Sequence, residues 1–183
     1  MTRQRVNLYV DAANLYGDAK ANGERLDYAA LLRYAGALGA VGEAAIYAVR
    51  CNGGEKDRGF LVALKQIGFT RVVGRHARQR PDGQVKSDLD TVIAMDVWAA
   101  ALQGEMTTTV LVSGDSDFVP LVERLVERGI PVYVIGPDRA TAWEMIVAAT
   151  KFLYASQVDG LVEVEKPATS DRNGAPAAQK PGG

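Results

Sequence analysis

Short apolar runs alternate along this chain with longer stretches in which apolar residues recur every three or four positions. The runs at residues 5–11, 43–50, 70–74, 108–113 and 131–135 are strand-sized. Their largely unbroken apolar character suits strands covered on both faces, as in a parallel sheet. Between them the pattern is helical. Asp27 can cap a helix through about Leu38, and Glu55 to Ile67 ends at Gly68. Ser87 to Gln103 is the longest helical stretch, and Phe118 to Arg128 stops at Gly129 with Pro131 just beyond. Ala140 to Tyr154 reads as a last helix. Strands joined by helices of this length require right-handed crossovers. The expected fold is therefore α/β, with a mainly parallel central sheet of about five strands and helices on both faces.

From about Glu163 the composition shifts to Pro, Ala, Gly, Ser and Lys, with little to bury. The expected organisation is one domain over residues 1–162 and a disordered tail over 163–183. Across the 183 residues, 48% are hydrophobic and 23% charged, the balance of a water-soluble globular protein. No apolar run approaches the ~20 residues that span a bilayer, and Asp11 interrupts the N-terminal apolar stretch too early for a signal peptide. These features predict a cytoplasmic protein that does not enter membranes. Cys51 is the only cysteine and His76 the only histidine, so a disulfide within the chain and a Cys/His zinc cluster are excluded. Glycine-rich phosphate loops of the GxGxxG or GxxxxGK[ST] kind are also absent.

Candidate chemistry lies in the acids. Val110-Leu111-Val112-Ser113-Gly114-Asp115-Ser116-Asp117-Phe118 is an apolar run that ends in a glycine and two carboxylates. Val6-Asn7-Leu8-Tyr9-Val10-Asp11 ends the same way. Open α/β sheets bind ligands beyond the carboxyl ends of their strands. Pro120 belongs in a first helical turn, which puts the helix cap at or near Asp117 and leaves Asp115 without a structural task. Gly114 lets the backbone turn sharply before it. Asn14 follows Asp11 after two alanines, in what is otherwise an Asx turn into a short helix. In the third acidic segment, Ser87 and Asp90 fit a capping box. Asp96 falls on the same apolar helical arc, about 140° wide, as Leu89, Ile93 and Val97. A carboxylate there is either satisfied by a neighbouring strand end or used as a ligand.

Carboxylates that converge repel one another unless a cation intervenes. Mg²⁺ or Mn²⁺ prefers oxygen donors and keeps several waters, so a few Asp side chains suffice. Net charge is −1, which neither demands nor forbids nucleic acid. Arg71, Arg75, His76, Arg78, Arg80 and Lys86 nevertheless fall in one stretch, either a solvated loop or a guide for a phosphate backbone.

Together, Tyr9-Val10-Asp11-Ala12-Ala13-Asn14, Lys86-Ser87-Asp88-Leu89-Asp90 with Asp96, and Val112-Ser113-Gly114-Asp115-Ser116-Asp117-Phe118 resemble the NYN domain, in the LabA-like branch of the PIN-like nucleases. The resemblance spans about Val6 to Phe152. It implies a Rossmann-like three-layer sandwich and a Mg²⁺- or Mn²⁺-dependent ribonuclease acting on single-stranded RNA. It implies Asp11, Asp90 and Asp115 as principal metal ligands, with Asp96 and Asp117 as supporting acids and Asp117 counted among the catalytic group. Asn14 and Ser113 would orient carboxylates or contact phosphate, and Arg75, Arg78, Arg80 and Lys86 would guide the RNA. Family members often read Lys-Gly-x-Asp before the helix. The different spacing here leaves Asp88 or Asp90 as the ligand, and both the helical face and the distance to Asp96 select Asp90.

Two other functions fit parts of the pattern. One is a catalytically silent module that binds RNA or regulates, with the acids holding a metal for structure. The other is a haloacid dehalogenase-like phosphatase, suggested by Gly114-Asp115-Ser116-Asp117. That chemistry needs a second Asp two residues after the nucleophile, where this chain has Ala13. A homodimer is compatible with each of these functions.

Overall fold

The computed structural model describes residues 4–50, 54–76, 78, 79, 85, 86 and 88–164. Cys51, Arg80, Ser87 and residues 165–183 of the expected tail lie outside the described residues, as do the side chains of Arg78 and Lys86. Six strands form one sheet: β1 (Arg5–Asp11), β3 (Ala40–Arg50), β4 (Arg71–His76), β7 (Thr108–Val112), β8 (Val132–Gly136) and β9 (Lys151–Tyr154). Their spatial order is β4-β3-β1-β7-β8-β9, and every neighbouring pair is parallel. The helices are α1 (Ala12–Ala21), α2 (Ala29–Leu38), α3 (Glu55–Gln66), α4 (Leu89–Leu102), α5 (Val119–Glu127) and α6 (Trp143–Ala148). Two small antiparallel pairs complete the described elements: β2 (Glu24–Leu26) with β10 (Val162–Val164), and β5 (Arg78–Gln79) with β6 (Val85–Lys86).

Side-chain alternation along the strands explains the three layers. Leu8, Val10, Ile46, Val110 and Val112 face one way and pack with Leu15, Leu31 and Leu64 of α1, α2 and α3. Tyr9, Tyr47, Leu111 and Val134 face the other way and pack with Ile93, Val97, Leu125 and Met145 of α4, α5 and α6. A sheet buried on both faces can have few polar positions, and this is what made the strands legible as apolar runs. The expected five-strand α/β sandwich is therefore present with a sixth strand added.

That sixth strand corrects the expected last helix. Helix α6 ends at Ala148, and β9 follows at Lys151–Tyr154. Thr150 directs the change: its N–H donates to the Val132 carbonyl at 2.9 Å, and its hydroxyl accepts from the Val132 N–H at 3.0 Å. Phe152 and Tyr154 then share one face of the strand, with their rings edge-to-face at 4.9 Å. A short aromatic run suits helix or strand equally until a pairing edge is available, and β8 supplies that edge. At the C-terminal end, β10 runs two residues past the expected boundary because it pairs with β2.

After β7, Gly114 is needed for close approach. Its carbonyl accepts from the Ala142 N–H at 2.9 Å. A Cβ on Gly114 would stand 2.8 Å from both the Ala140 carbonyl oxygen and the Thr141 Cα. These are backbone atoms that cannot swing aside. Gly114→Ala should therefore lower stability by about 1–3 kcal/mol in denaturant unfolding. Gly17→Ala, in open space within α1, should raise it by about 0.5–1 kcal/mol.

Candidate metal centre

Strand order reverses between β1 and β7, so their carboxyl ends border the crevice characteristic of doubly wound sheets. Both strands lead into an aspartate that caps the next helical turn. Asp11 Oδ1 accepts from the N–H groups of Ala13 and Asn14, each at 3.1 Å. Asp115 Oδ1 accepts from the Asp117 N–H at 3.0 Å and caps the 3₁₀ turn Ser116–Phe118. This reverses the expected division of labour, in which Asp117 was the cap and Asp115 had no structural task. Pro120 is the second residue of α5, and the short 3₁₀ turn between strand and helix takes the strand-end acid as its cap. Capping engages one carboxylate oxygen and sets the rotamer, which leaves the other oxygen for a ligand.

The two strand ends are stitched together. Asn14 Oδ1 accepts from the Gly114 N–H at 2.9 Å. Ser113 Oγ lies 3.3 Å from Asp11 Oδ2 and accepts from the Asp115 N–H at 3.3 Å. Asn14 and Ser113 thus hold the backbone and carboxylates in place.

Helix α4 brings the third acid. Asp90, in its first turn, has a carboxylate oxygen within 4.8 Å of oxygens from Asp115 and Asp117. Asp88 stands at the α4 N-cap position, exposed and without a side-chain capping bond. The structure therefore brings Asp90, and not Asp88, to the group. Asp11 lies outside the closest trio but beside it, and it lines the same cleft as Asp90 and Asp115. Burial pushes the Asp11 carboxyl up to about 6, against the bonds from Asn14, Ser113 and Ala13, and the neighbouring Asp90 charge adds to the rise. Among the described residues no Lys or Arg forms an ion pair with Asp11, Asp115 or Asp117. An all-oxygen donor set with a desolvated, uncompensated carboxylate beside it fits a hard divalent cation.

A family model for the NYN domain matches residues 5–159. The chain belongs to the NYN domain family. NYN domains are part of the PIN-like superfamily and have a nuclease-like fold. A crystal structure of a protein of unknown function from Vibrio parahaemolyticus is similar, with 31% sequence identity and a TM-score of 0.75, covering 88% of this chain and 97% of that one. No curated protein matches the chain.

One expected site residue lies elsewhere in this NYN domain. Asp96, expected as a ligand, is held two helical turns along α4. Its Oδ2 accepts from the Tyr47 hydroxyl at 2.8 Å and pairs with Arg71 Nη2 at 2.8 Å. Arg71 also approaches Glu43 at 3.7 Å. The strand-end alternative is thus the one that the fold adopts for Asp96, and it draws Arg71 out of the expected basic guide. Arg75 is exposed near the end of β4, and Arg78 and Lys86 lie on β5 and β6.

The cleft at the acids, about 980 Å³, has other walls that the sequence pattern did not reveal. Tyr16 and Lys20 of α1, Arg25 of β2, Tyr28, and Lys56 and Phe60 of α3 border it. Three separate elements supply most of these residues. The local signal is an i, i+4 pairing of an aromatic with a lysine, Tyr16 with Lys20 on α1 and Lys56 with Phe60 on α3, and the Lys20 ammonium lies 5.9 Å from the Tyr16 ring centroid. Among the described residues, no helix is long and apolar enough to cross a membrane.

The raised Asp11 pKa sets a pH dependence. The protonated form is favoured in the fold, so that contribution is present at low pH and is lost as pH rises from 3.8 to about 6. Its size is about 3 kcal/mol. In cation-free buffer at pH 7.5, Asp11→Asn should melt several degrees above the parent, and the gap should close towards pH 4. Mn²⁺ should raise the melting temperature of the parent, and by less that of the variant, which keeps the Asp90, Asp115 and Asp117 oxygens but lacks the Asp11 charge behind them. Asp96→Asn should instead lose about 1.5–3 kcal/mol by weakening the bonds to Tyr47 and Arg71, with the Mn²⁺-induced shift retained in the same thermal scan.

Proposed function

We propose that this NYN domain is a cytoplasmic, Mg²⁺- or Mn²⁺-dependent ribonuclease of the LabA-like kind that hydrolyses phosphodiester bonds in single-stranded RNA. The observation that carries this is the convergence of Asp90, Asp115 and Asp117 oxygens within 4.8 Å at the strand-order reversal, with buried Asp11 alongside. Asp90, Asp115 and Asp117 would hold the cation, with Asp11 adding negative charge behind them. A bound divalent cation there supplies Lewis-acid polarisation of the phosphate and lowers the pKa of water.

The chain's own residues do the positioning. Asp115 and Asp11 are locked by their capping bonds, so little carboxylate freedom is lost when a substrate binds. Asn14 and Ser113 hold the two strand ends at a fixed separation. Asp117, exposed to solvent, would take the proton of the attacking water through the carboxylate oxygen not turned to the cation, as the water oxygen adds to phosphorus. The bond to the ribose oxygen then breaks, and that oxygen is protonated from solvent. Lys20, Arg25 and Lys56 on the cleft wall favour an anionic substrate.

One observation favours a silent RNA-binding module instead: Asp11 and Asp115 already have structural work as caps. Cleavage separates the two. With Mn²⁺ and a single-stranded RNA, the parent should cleave, and Asp115→Asn should lose on the order of a hundredfold or more in rate. Undiminished cleavage by the variant overturns the nuclease proposal, and RNA binding by the parent without cleavage selects the silent module.

A further inference from the structure

The cleft that holds the acids extends past them over a wall of different chemistry. Tyr16 and Phe60 are large aromatics left 54% and 40% exposed, although both line a concave surface where burial was available. Tyr28 lies against Phe60, with ring centroids 6.0 Å apart and an interplanar angle of 64°. Tyr28 is 7% exposed, and its hydroxyl has no hydrogen-bond partner among the described residues. A buried hydroxyl without a partner costs about 1–3 kcal/mol. Burial raises its pKa above the ordinary phenol value, so it remains a donor at any working pH.

Cations are interleaved with these rings. Lys20 sits over Tyr16, while Arg25 and Lys56 flank the same cleft. Of the further acids on this wall, Glu24 is paired with Arg139 at 3.7 Å, and Asp57 lies in the positively polarised first turn of α3. Exposed rings for stacking, with ammonium and guanidinium groups between them, match the pattern by which single strands are held: bases on aromatic faces and phosphates on cations. A base inside a duplex offers no free face to such a wall.

We infer that the wall formed by Tyr16, Tyr28 and Phe60 is a nucleobase subsite that takes one unpaired base of the strand whose phosphate lies at the acids. This rests on the nuclease proposal for its substrate class. Tyr16 and Phe60 supply stacking surface, Tyr28 backs the Phe60 ring, and Lys20, Arg25 and Lys56 meet the adjoining phosphates. Selectivity for single strands then comes from the cleft wall, and the metal centre needs only to recognise a phosphodiester.

Fluorescence polarisation with a labelled single-stranded RNA octamer tests this, using the full chain carrying Asp115→Asn so that binding is read without cleavage. Adding Tyr16→Ala or Phe60→Ala should weaken octamer binding about fivefold to a hundredfold. Tyr16→Phe and Phe60→Trp should retain it, and the melting temperatures of these two conservative variants should stay within about a degree of the parent. A blunt RNA duplex of the same length should bind more weakly than the octamer and respond little to the alanine changes. Octamer binding that is unchanged in both alanine variants overturns the subsite, as does equal binding of the duplex or no saturable binding at all. Failure of the nuclease proposal is read separately, from cleavage by the chain with and without Asp115→Asn.

Discussion

Parallel pairing of β1 with β7 is the contact on which the site depends. Val10 lies opposite Val112 across that pair, so both strands stop at the same level, and the next residues of each emerge together. Because winding proceeds outward in opposite directions from this pair, no crossover helix covers the gap beyond it. Backbone N–H groups at two helical starts point into the gap, and the residues nearest to them are aspartates. Asp11 and Asp115 satisfy those donors first. The ligand role proposed for Asp115 is built on a bond that the fold needs in any case.

That coupling has an energetic side. Asp11 is buried where its charge is disfavoured, and Asp90 adds repulsion to the cost of desolvation. A fold that keeps an ionised carboxylate under these conditions carries a cost that a bound cation would offset, which is the usual relation between stability and function at such centres. Asp96 shows the contrast. It occupies the same helix, and the Tyr47 hydroxyl and the Arg71 guanidinium compensate its charge. Of two acids on α4, Asp96 is held by Tyr47 and Arg71, and Asp90 joins the acidic trio with Asp115 and Asp117.

Much of the layered architecture was legible in the chain because burial on both faces leaves an apolar run, and four of the five expected helices formed close to their expected bounds. The failure at residues 140–154 has a physical cause: six helical residues are followed by a strand that exists only because β8 presents an unpaired edge. The capping error at Asp115 and Asp117 came from the same source. Pro120 correctly marked a first turn, but the intervening 3₁₀ turn moved the cap back to the strand end. Gly114 was legible as a special position. The reason is the backbone of Ala140 and Thr141 packed against it, from a distant part of the chain.

The sequence by itself determined the fold class, the family and the identity of the acids, because periodicity and strand-end chemistry are local properties. Tertiary structure decided which acids meet. Asp90 and Asp117 join Asp115 because α4 packs beside the 3₁₀ turn that follows β7, while Asp96 is claimed by β3 and β4. It also assembled the aromatic and basic wall from α1, β2 and α3, which are far apart in the sequence. The Ser-Gly-Asp-Ser-Asp-Phe turn was readable as a site from its composition. Only the packing of separate crossovers around the β1–β7 gap defines what that site can hold and what lies beside it.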